Sequence, residues 1–229
     1  MLLKLQDITE CIVIKRVNRF IVSVVFNERE VEAFINNTGR LTDYIVKGRK
    51  AYCLSKLGRL RIIAFEDAGY GVLVDTYFQM KAFEKAVGLN LIPWLKKCFI
   101  VKRNPKLGGS TLDYLIKCGD NLVYVELKSA VMRGNRFLAM YPDCLSIRGR
   151  RHITELINYC KRGGRGLIVF IAALPYVKAF KPNDKVDPLI RKLLKKAVEV
   201  GVAVKAISMY FNPILQSIVL DNPDLRIII

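Results

Sequence analysis

The sequence predicts an α+β chain in two units: a small β-barrel over residues 1–78, then an α/β sheet flanked by helices over residues 79–229. Three observations carry this reading. Short β-branched and aromatic runs follow one another through the first unit, with glycines at 39, 48, 58, 69 and 71 between them. From Phe78 the apolar spacing turns helical, and strands and helices then alternate. Charge divides at the same place: residues 1–78 hold 12 basic and 9 acidic side chains, and residues 79–229 hold 26 and 11.

In the first unit the strands are ECIVIKRVN, RFIVSVVFN, AYCLSKL, LRIIAFED and GVLVDT, and Thr42 to Val46 form a helical turn. Phe78, Ala82, Phe83, Ala86 and Val87 share one helical face, which Gly88 closes. CFIVKRN, TLDYLIKC and LVYVELKSA are three strands, with turns at Gly108–Gly109 and Cys118–Asn121, and RFLAMYP is a fourth short one. Residues 146–162 form a helix that stops at Gly163–Gly164. GLIVFIAAL has the continuous apolar run of a strand buried on both faces. Asp187 caps the last helix, Pro188 takes its first position, Gly201 ends it, and VAVKAISMY is the final core strand.

A chain of 229 residues with 52% hydrophobic content can bury a sizeable core, which excludes a disordered basic tail. The net charge of +18 points to a polyanionic partner: nucleic acid, an anionic membrane or an acidic protein. No basic amphipathic helix with aromatic anchors stands out, so a membrane partner is not expected. A single histidine, His152, excludes a site built from several His ligands, and six cysteines without a CxxC pair exclude a zinc ribbon or thioredoxin-like site. The cysteines sit in apolar runs, so they are read as reduced core-filling residues of an intracellular protein. Asp7 and Glu10 interrupt the N-terminal apolar stretch, so no signal peptide is expected. The longest apolar run, residues 166–177, contains a proline and is too short to span a bilayer. The expectation is a soluble, cytoplasmic protein, with the apolar C-terminal LRIII as an edge for a homodimer.

The chemistry is concentrated in LVYVELKSA. A strand period of two puts Tyr124, Glu126 and Lys128 on one face. Asp113 is the only acidic residue on the strand expected to pair with it, so two carboxylates and an ammonium come within reach of one another. Metal-dependent phosphodiester hydrolysis needs that set: hard oxygen donors for Mg²⁺ (or Mn²⁺), and a lysine that orients water or offsets charge. The ligands would be Asp113, Glu126 and the backbone carbonyl of Leu127. An ordinary salt bridge explains an ExK strand equally well. Helix, Asp strand, ExK strand and helix–strand–helix nonetheless match the element order of the PD-(D/E)xK nuclease core. Glu84, on the preceding helix, could add an acid to that site or simply pair with Lys81 or Lys85.

Arg148, Arg150, Arg151 and His152 crowd one helix start, as phosphate contact requires. The alternative is a solvated face with Arg151 and Glu155 as an i,i+4 pair. In the barrel, Arg40 after the Gly39 turn, and Asn18, Arg19 and Phe20, could line a groove for a single strand.

RVNRFIV (16–22), NTGRL (37–41), GVLVDT (71–76), YVELKS (124–129), YPD (141–143), RGRRHITEL (148–156) and GGRGLIVFIAAL (163–174) span nearly the whole chain. With these blocks in this order the chain resembles the sugar fermentation stimulation protein A family. The resemblance implies an N-terminal OB-fold, a C-terminal PD-(D/E)xK nuclease-like domain, DNA binding (single- or double-stranded) without marked sequence preference, and a regulatory role in sugar (maltose) metabolism. It places the family's acidic site on Asp113, Glu126 and Lys128. The chain departs from the pattern at Asn36, Thr111 and Ile147, and around Gln79–Met80. A catalytically silent DNA-binding regulator with a vestigial site is the competing expectation.

Overall fold

Alternation of apolar residues along the first five long strands closes them on themselves. In this computed structural model, which describes residues 1–134 and 137–229, Ile8–Arg16, Ile21–Phe26, Arg29–Ile35, Lys50–Lys56 and Arg59–Asp67 form a closed barrel. Neighbours pair antiparallel, and closure comes from a parallel contact, Ala33 opposite Leu60 and Ile35 opposite Ile62. Val22, Val24, Ala33, Ile35, Ile62 and Ile63 are fully buried. Residues 42–46 make the expected turn, with the amides of Tyr44 and Ile45 both donating to the Leu41 carbonyl.

The sheet does not stop at the barrel. Tyr70–Leu73 pairs with Arg59–Asp67 and then with Ala203–Asn212, at Gly71 opposite Phe211. A β-carbon on Gly71 would lie 2.9 Å from that of Ala64 and 3.0 Å from that of Phe211, so glycine is required for the two units to share a sheet. Beyond that junction the strand order is Ala203–Asn212, Gly166–Ala172, Asn121–Ala130, Tyr114–Cys118 and Cys98–Arg103. The first three run parallel and the last two antiparallel. Gly166–Ala172 is buried at every position, as a central strand covered on both faces must be.

Among the described residues, three α-helices pack on this sheet. α1 (Thr76–Gly88) opens two residues earlier than the apolar spacing suggests, because the Asp75 carboxylate caps the Phe78 amide at 3.2 Å. α2 (Ile147–Lys161) is capped by Ser146 and buries His152, Ile153, Leu156, Ile157 and Cys160 on one face. α3 (Pro188–Glu199) buries Ile190, Leu194 and Ala197. Gln79 of α1 reaches Ser129, whereas His152 of α2 reaches Glu126. Positions 126 and 129 lie on opposite faces of a strand, so α1 and α2 flank the sheet from opposite sides.

Several expectations need correction. Cys11–Cys53 and Cys98–Cys118 are disulfides, and only Cys144 and Cys160 are free thiols. Strand register is the reason: Cys98 stands directly opposite Cys118, with Cα atoms 4.3 Å apart, and no apolar flanking sequence reveals that pairing. RFLAMYP is not part of the main sheet. Its Leu138–Tyr141 segment joins Ala179–Pro182 in a small separate sheet, and Arg136 lies outside the described residues. In LRIII, Leu225 is buried, and Arg226–Ile227 pairs with Ala179–Phe180 as the outermost strand of that small sheet. Among the described residues no helix is long and apolar enough to cross a membrane.

Candidate functional site

Asn121–Ala130 is the strand on which the site is built. Tyr114 pairs with Val125, and there the neighbouring antiparallel strand ends, leaving the edge at Leu127 unpaired by strand backbone. Asp113 occupies that gap from the loop just before the strand, not from the strand itself. Its backbone is pinned by its carbonyl, which accepts from the Asn104 amide at 3.0 Å. Its carboxylate accepts from the Leu127 amide at 2.7 Å. In a strand the N–H and C=O of one residue leave the same edge, so the Leu127 carbonyl points to the side on which Asp113 stands.

Glu126, Lys128 and His152 are nearly inaccessible, at 4%, 7% and 2% exposure. Oε1 of Glu126 is ion-paired with Lys128 Nζ and lies 2.6 Å from His152 Nδ1. His152 Nε2 lies 3.4 Å from Arg148 Nε, an obligate donor, which assigns the proton to Nδ1. Oε2 of Glu126 is buried without any partner. Burial pushes the Glu126 carboxyl up, but Lys128 and His152 outweigh it and hold the group below the usual range. Burial likewise opposes the Lys128 ammonium, yet Glu126 and Tyr141 keep its pKa above the ordinary value. Asp113 goes the other way, raised to about 7 by burial and by the Glu126 charge, against the Leu127 amide, Lys128 and Arg148.

Asp113, Glu126 and Lys128, but not His152, line a cavity of about 540 Å³ between the barrel and the second unit. Asp113, Glu126, Leu127 and Lys128 form one wall, and Arg148 and Arg19 line it from the two units. Asn37 and Gly39 supply the barrel side, where Asp143 of the second unit accepts from the Leu41 amide at 3.0 Å and packs against Gly39 too closely for any β-carbon. The donors fit a hard divalent cation: two carboxylates, one with an orphaned oxygen, plus a backbone carbonyl. Among the described residues no three His, Cys, Asp or Glu side chains converge on such a point, so water would complete the shell.

The remaining candidates lie elsewhere. Glu84 is held by Arg103 through both oxygens, at 2.8 and 2.7 Å, and by the Tyr114 hydroxyl at 3.0 Å, so it does not join Asp113. Arg150 is bound to Asp187, whose carboxylate is fully buried, at 2.7 and 3.0 Å. Arg40 and Arg151 are exposed and do not line the cavity. Glu155 reaches the Gly109 amide at 3.1 Å.

Arg16 is the residue that sequence reasoning missed. Its guanidinium donates to the carbonyls of Asn18, Arg19, Asn37, Gly39 and Arg40, tying two barrel loops into one rim of the cavity. It opens the RVNRF block that drew attention to Arg19 three residues later, so its block was visible although its role was not. Asn37 (to the Val74 carbonyl, 2.9 Å) and Gln79 (to Ser129 Oγ, 2.9 Å) tie the barrel loop and α1 to the strands lining the same cavity.

Comparison with known proteins agrees with this architecture. The SfsA N-terminal OB domain family matches residues 14–74, and the sugar fermentation stimulation protein RE domain family matches residues 77–214. A sugar fermentation stimulation protein homolog of Pyrococcus furiosus is 47% identical, over 92% of this chain and 93% of that protein. One from Archaeoglobus fulgidus is 41% identical, over 100% and 99%. The solved structure of Pyrococcus furiosus SfsA in complex with Ca²⁺ superposes with a TM-score of 0.95 at 44% identity, covering 100% of this chain and 99% of that one. The chain therefore belongs to the sugar fermentation stimulation protein family, with an OB barrel followed by that family's second domain.

Proposed function

We propose that the protein binds DNA in the cavity, without sequence preference, and hydrolyses its phosphodiester bonds with Mg²⁺ or Mn²⁺. The observation that carries this reading is the orphaned Oε2 of Glu126, a buried carboxylate oxygen on a residue that lines the same cavity as Asp113. The Ca²⁺ complex of the Pyrococcus furiosus relative supports it, because Ca²⁺ seeks the same hard oxygen donors. Asp113, Glu126 and the Leu127 carbonyl would hold the cation. Once bound, it would lower the pKa of a water and offset charge developing at phosphorus.

The protein's own groups do the rest. Lys128 stays an ammonium, so it donates hydrogen bonds and orients water or phosphate oxygen and does not abstract a proton. His152 fixes the Glu126 carboxylate through Nδ1, and Arg148, 3.4 Å from its other nitrogen, presents a guanidinium to phosphate. The excess of 26 basic over 11 acidic residues in residues 79–229 lets a polyanion approach two carboxylates that would otherwise repel it.

One observation favours a second reading, a DNA-binding regulator without cleavage: Lys128 is already paired with the carboxylate beside it. Purified protein with Mg²⁺ or Mn²⁺ and single-stranded, duplex or branched DNA decides between them. Hydrolysis that disappears in Asp113→Ala is the expected outcome. Hydrolysis that survives both Asp113→Ala and Glu126→Ala overturns the site, and salt-sensitive binding with no hydrolysis selects the second reading.

A further inference from the structure

A row of aromatic rings and cations lies on the outside of the protein, and its exposed rings have no part in the hydrolytic site. Phe20 and Phe34 are 46% and 39% exposed, yet their rings are stacked, with centroids 6.4 Å apart and planes 14° from parallel. The Arg19 guanidinium lies 5.6 Å from the Phe20 ring centroid. On the other side, Arg61 is 5.9 Å from Phe34 and 5.3 Å from Tyr77, which is itself 47% exposed, and Lys81 is 5.7 Å from Tyr77.

The backbone beneath the row is pinned, and so is Arg61. Phe34 stands opposite Arg61 in the parallel pairing that closes the barrel, and the Ile35 amide donates to the Phe20 carbonyl at 2.8 Å. Arg61 is anchored by the Asp75 carboxylate, which also caps α1 and so places Tyr77 and Lys81 in its first turns. The row also runs along the cavity: Arg19 lines it, and so do Thr76 and Met80, the neighbours of Tyr77 and Lys81.

Solvated rings that alternate with cations suit one kind of ligand, a polyanion carrying flat, exposed π-faces. A duplex hides its bases in the stack and offers only phosphates. A single strand offers both, bases for the rings and phosphates for the cations. A protein partner would be expected to meet a contiguous apolar patch, whereas here every ring borders a cation.

Resting on the nuclease reading above, we infer that the ligand of this cavity is a nucleic acid with unpaired bases. Its bases stack on Phe20, Phe34 and Tyr77 while its backbone enters the cavity past Arg19.

The test is fluorescence anisotropy of labelled (dT)20, (rU)20 and a 20-bp duplex with the full chain in EDTA, where hydrolysis plays no part. Phe20→Ala and Phe34→Ala should each weaken binding to the single strands by roughly 5- to 100-fold, with the slope against log salt unchanged because no charge is lost. Duplex binding should not move. Phe34→Tyr, which keeps the ring, should bind like the parent protein, and thermal unfolding of each variant controls for folding. Equal weakening for duplex and single strands, unchanged single-strand binding, or failure of the tyrosine to restore it overturns the inference. If that happens while metal-dependent cleavage persists, only this inference falls. If ring-dependent binding holds and no cleavage occurs, only the hydrolytic reading falls. Relative affinity for (dT)20 and (rU)20 tells DNA from RNA as the source of the strand.

Discussion

Replacing Asp113 by asparagine should make the metal-free protein more stable, by an amount that grows with pH. The native carboxyl titrates at about 7, pushed up by burial and by the Glu126 charge. An unfolded chain releases the same proton at about 3.9. Between those values the folded state binds one more proton than the unfolded state, so stability falls by about 1.4 kcal/mol per pH unit. The contribution of protonated Asp113 is complete below about pH 4 and is lost as pH rises through about 7. Asparagine does not titrate, and its carbonyl oxygen can still accept from the Leu127 amide. From pH 5 to pH 8 its advantage should therefore grow by about 3 kcal/mol, or roughly 5–10 °C in Tm for a chain of this size. Scanning calorimetry of both proteins in EDTA at the two pH values measures this. An advantage that is equal at pH 5 and pH 8, or a variant less stable than the parent at pH 8, would refute the assignment of Asp113 as a buried, raised carboxyl. Adding Mn²⁺ at pH 8 should raise the Tm of the parent and leave the variant nearly unmoved, since only the parent keeps both carboxylates.

Other substitutions have signs that follow from the same packing. Glu126→Gln should destabilise the protein by about 3–5 kcal/mol at pH 7, because it removes the ion-pair partner of the buried Lys128 ammonium; a rise in Tm would show that the pair is dispensable. Arg150→Ala should cost a similar 3–5 kcal/mol, since the Asp187 carboxylate is 0% exposed. Loss of DNA affinity at unchanged Tm in that variant would instead return Arg150 to the phosphate-contacting set.

Much of the site was readable because it is local. Asp113 and Glu126 sit on either side of one hairpin, so strand alternation and a short turn suffice to bring them together. Four of the five barrel strands and the buried faces of α1 and α2 follow from periodicity in the same way, whereas Arg29–Ile35 and the caps at Asp75 and Ser146 emerged only in the structure. The charged residues were harder. Four basic groups at the start of α2 look equivalent in sequence, yet Arg148 faces the cavity, Arg150 binds Asp187, Arg151 meets solvent and His152 is buried against Glu126. A helix turns by 100° per residue, so which of four neighbours meets which surroundings depends on what packs on each side. Glu84 is the same lesson, because its partner Arg103 comes from a strand 19 positions away.

By itself the sequence determined that a run of short strands precedes alternating helices and strands and that Asp113, Glu126 and Lys128 come close together, because each rests on periodicity or on residues joined by a short turn; the strands Arg29–Ile35, Ala179–Pro182 and Ser217–Asn222 escaped it. The tertiary structure alone decided the rest: closure of the barrel through Ala33–Ile35, the bridge at Gly71, the disulfides, the Arg16 hub and the aromatic row from Phe20 to Tyr77. Those contacts join segments whose faces carry no pattern specifying one another. Only the packing of the whole barrel against the whole sheet brings them together, and with them the cavity in which the carboxylates stand.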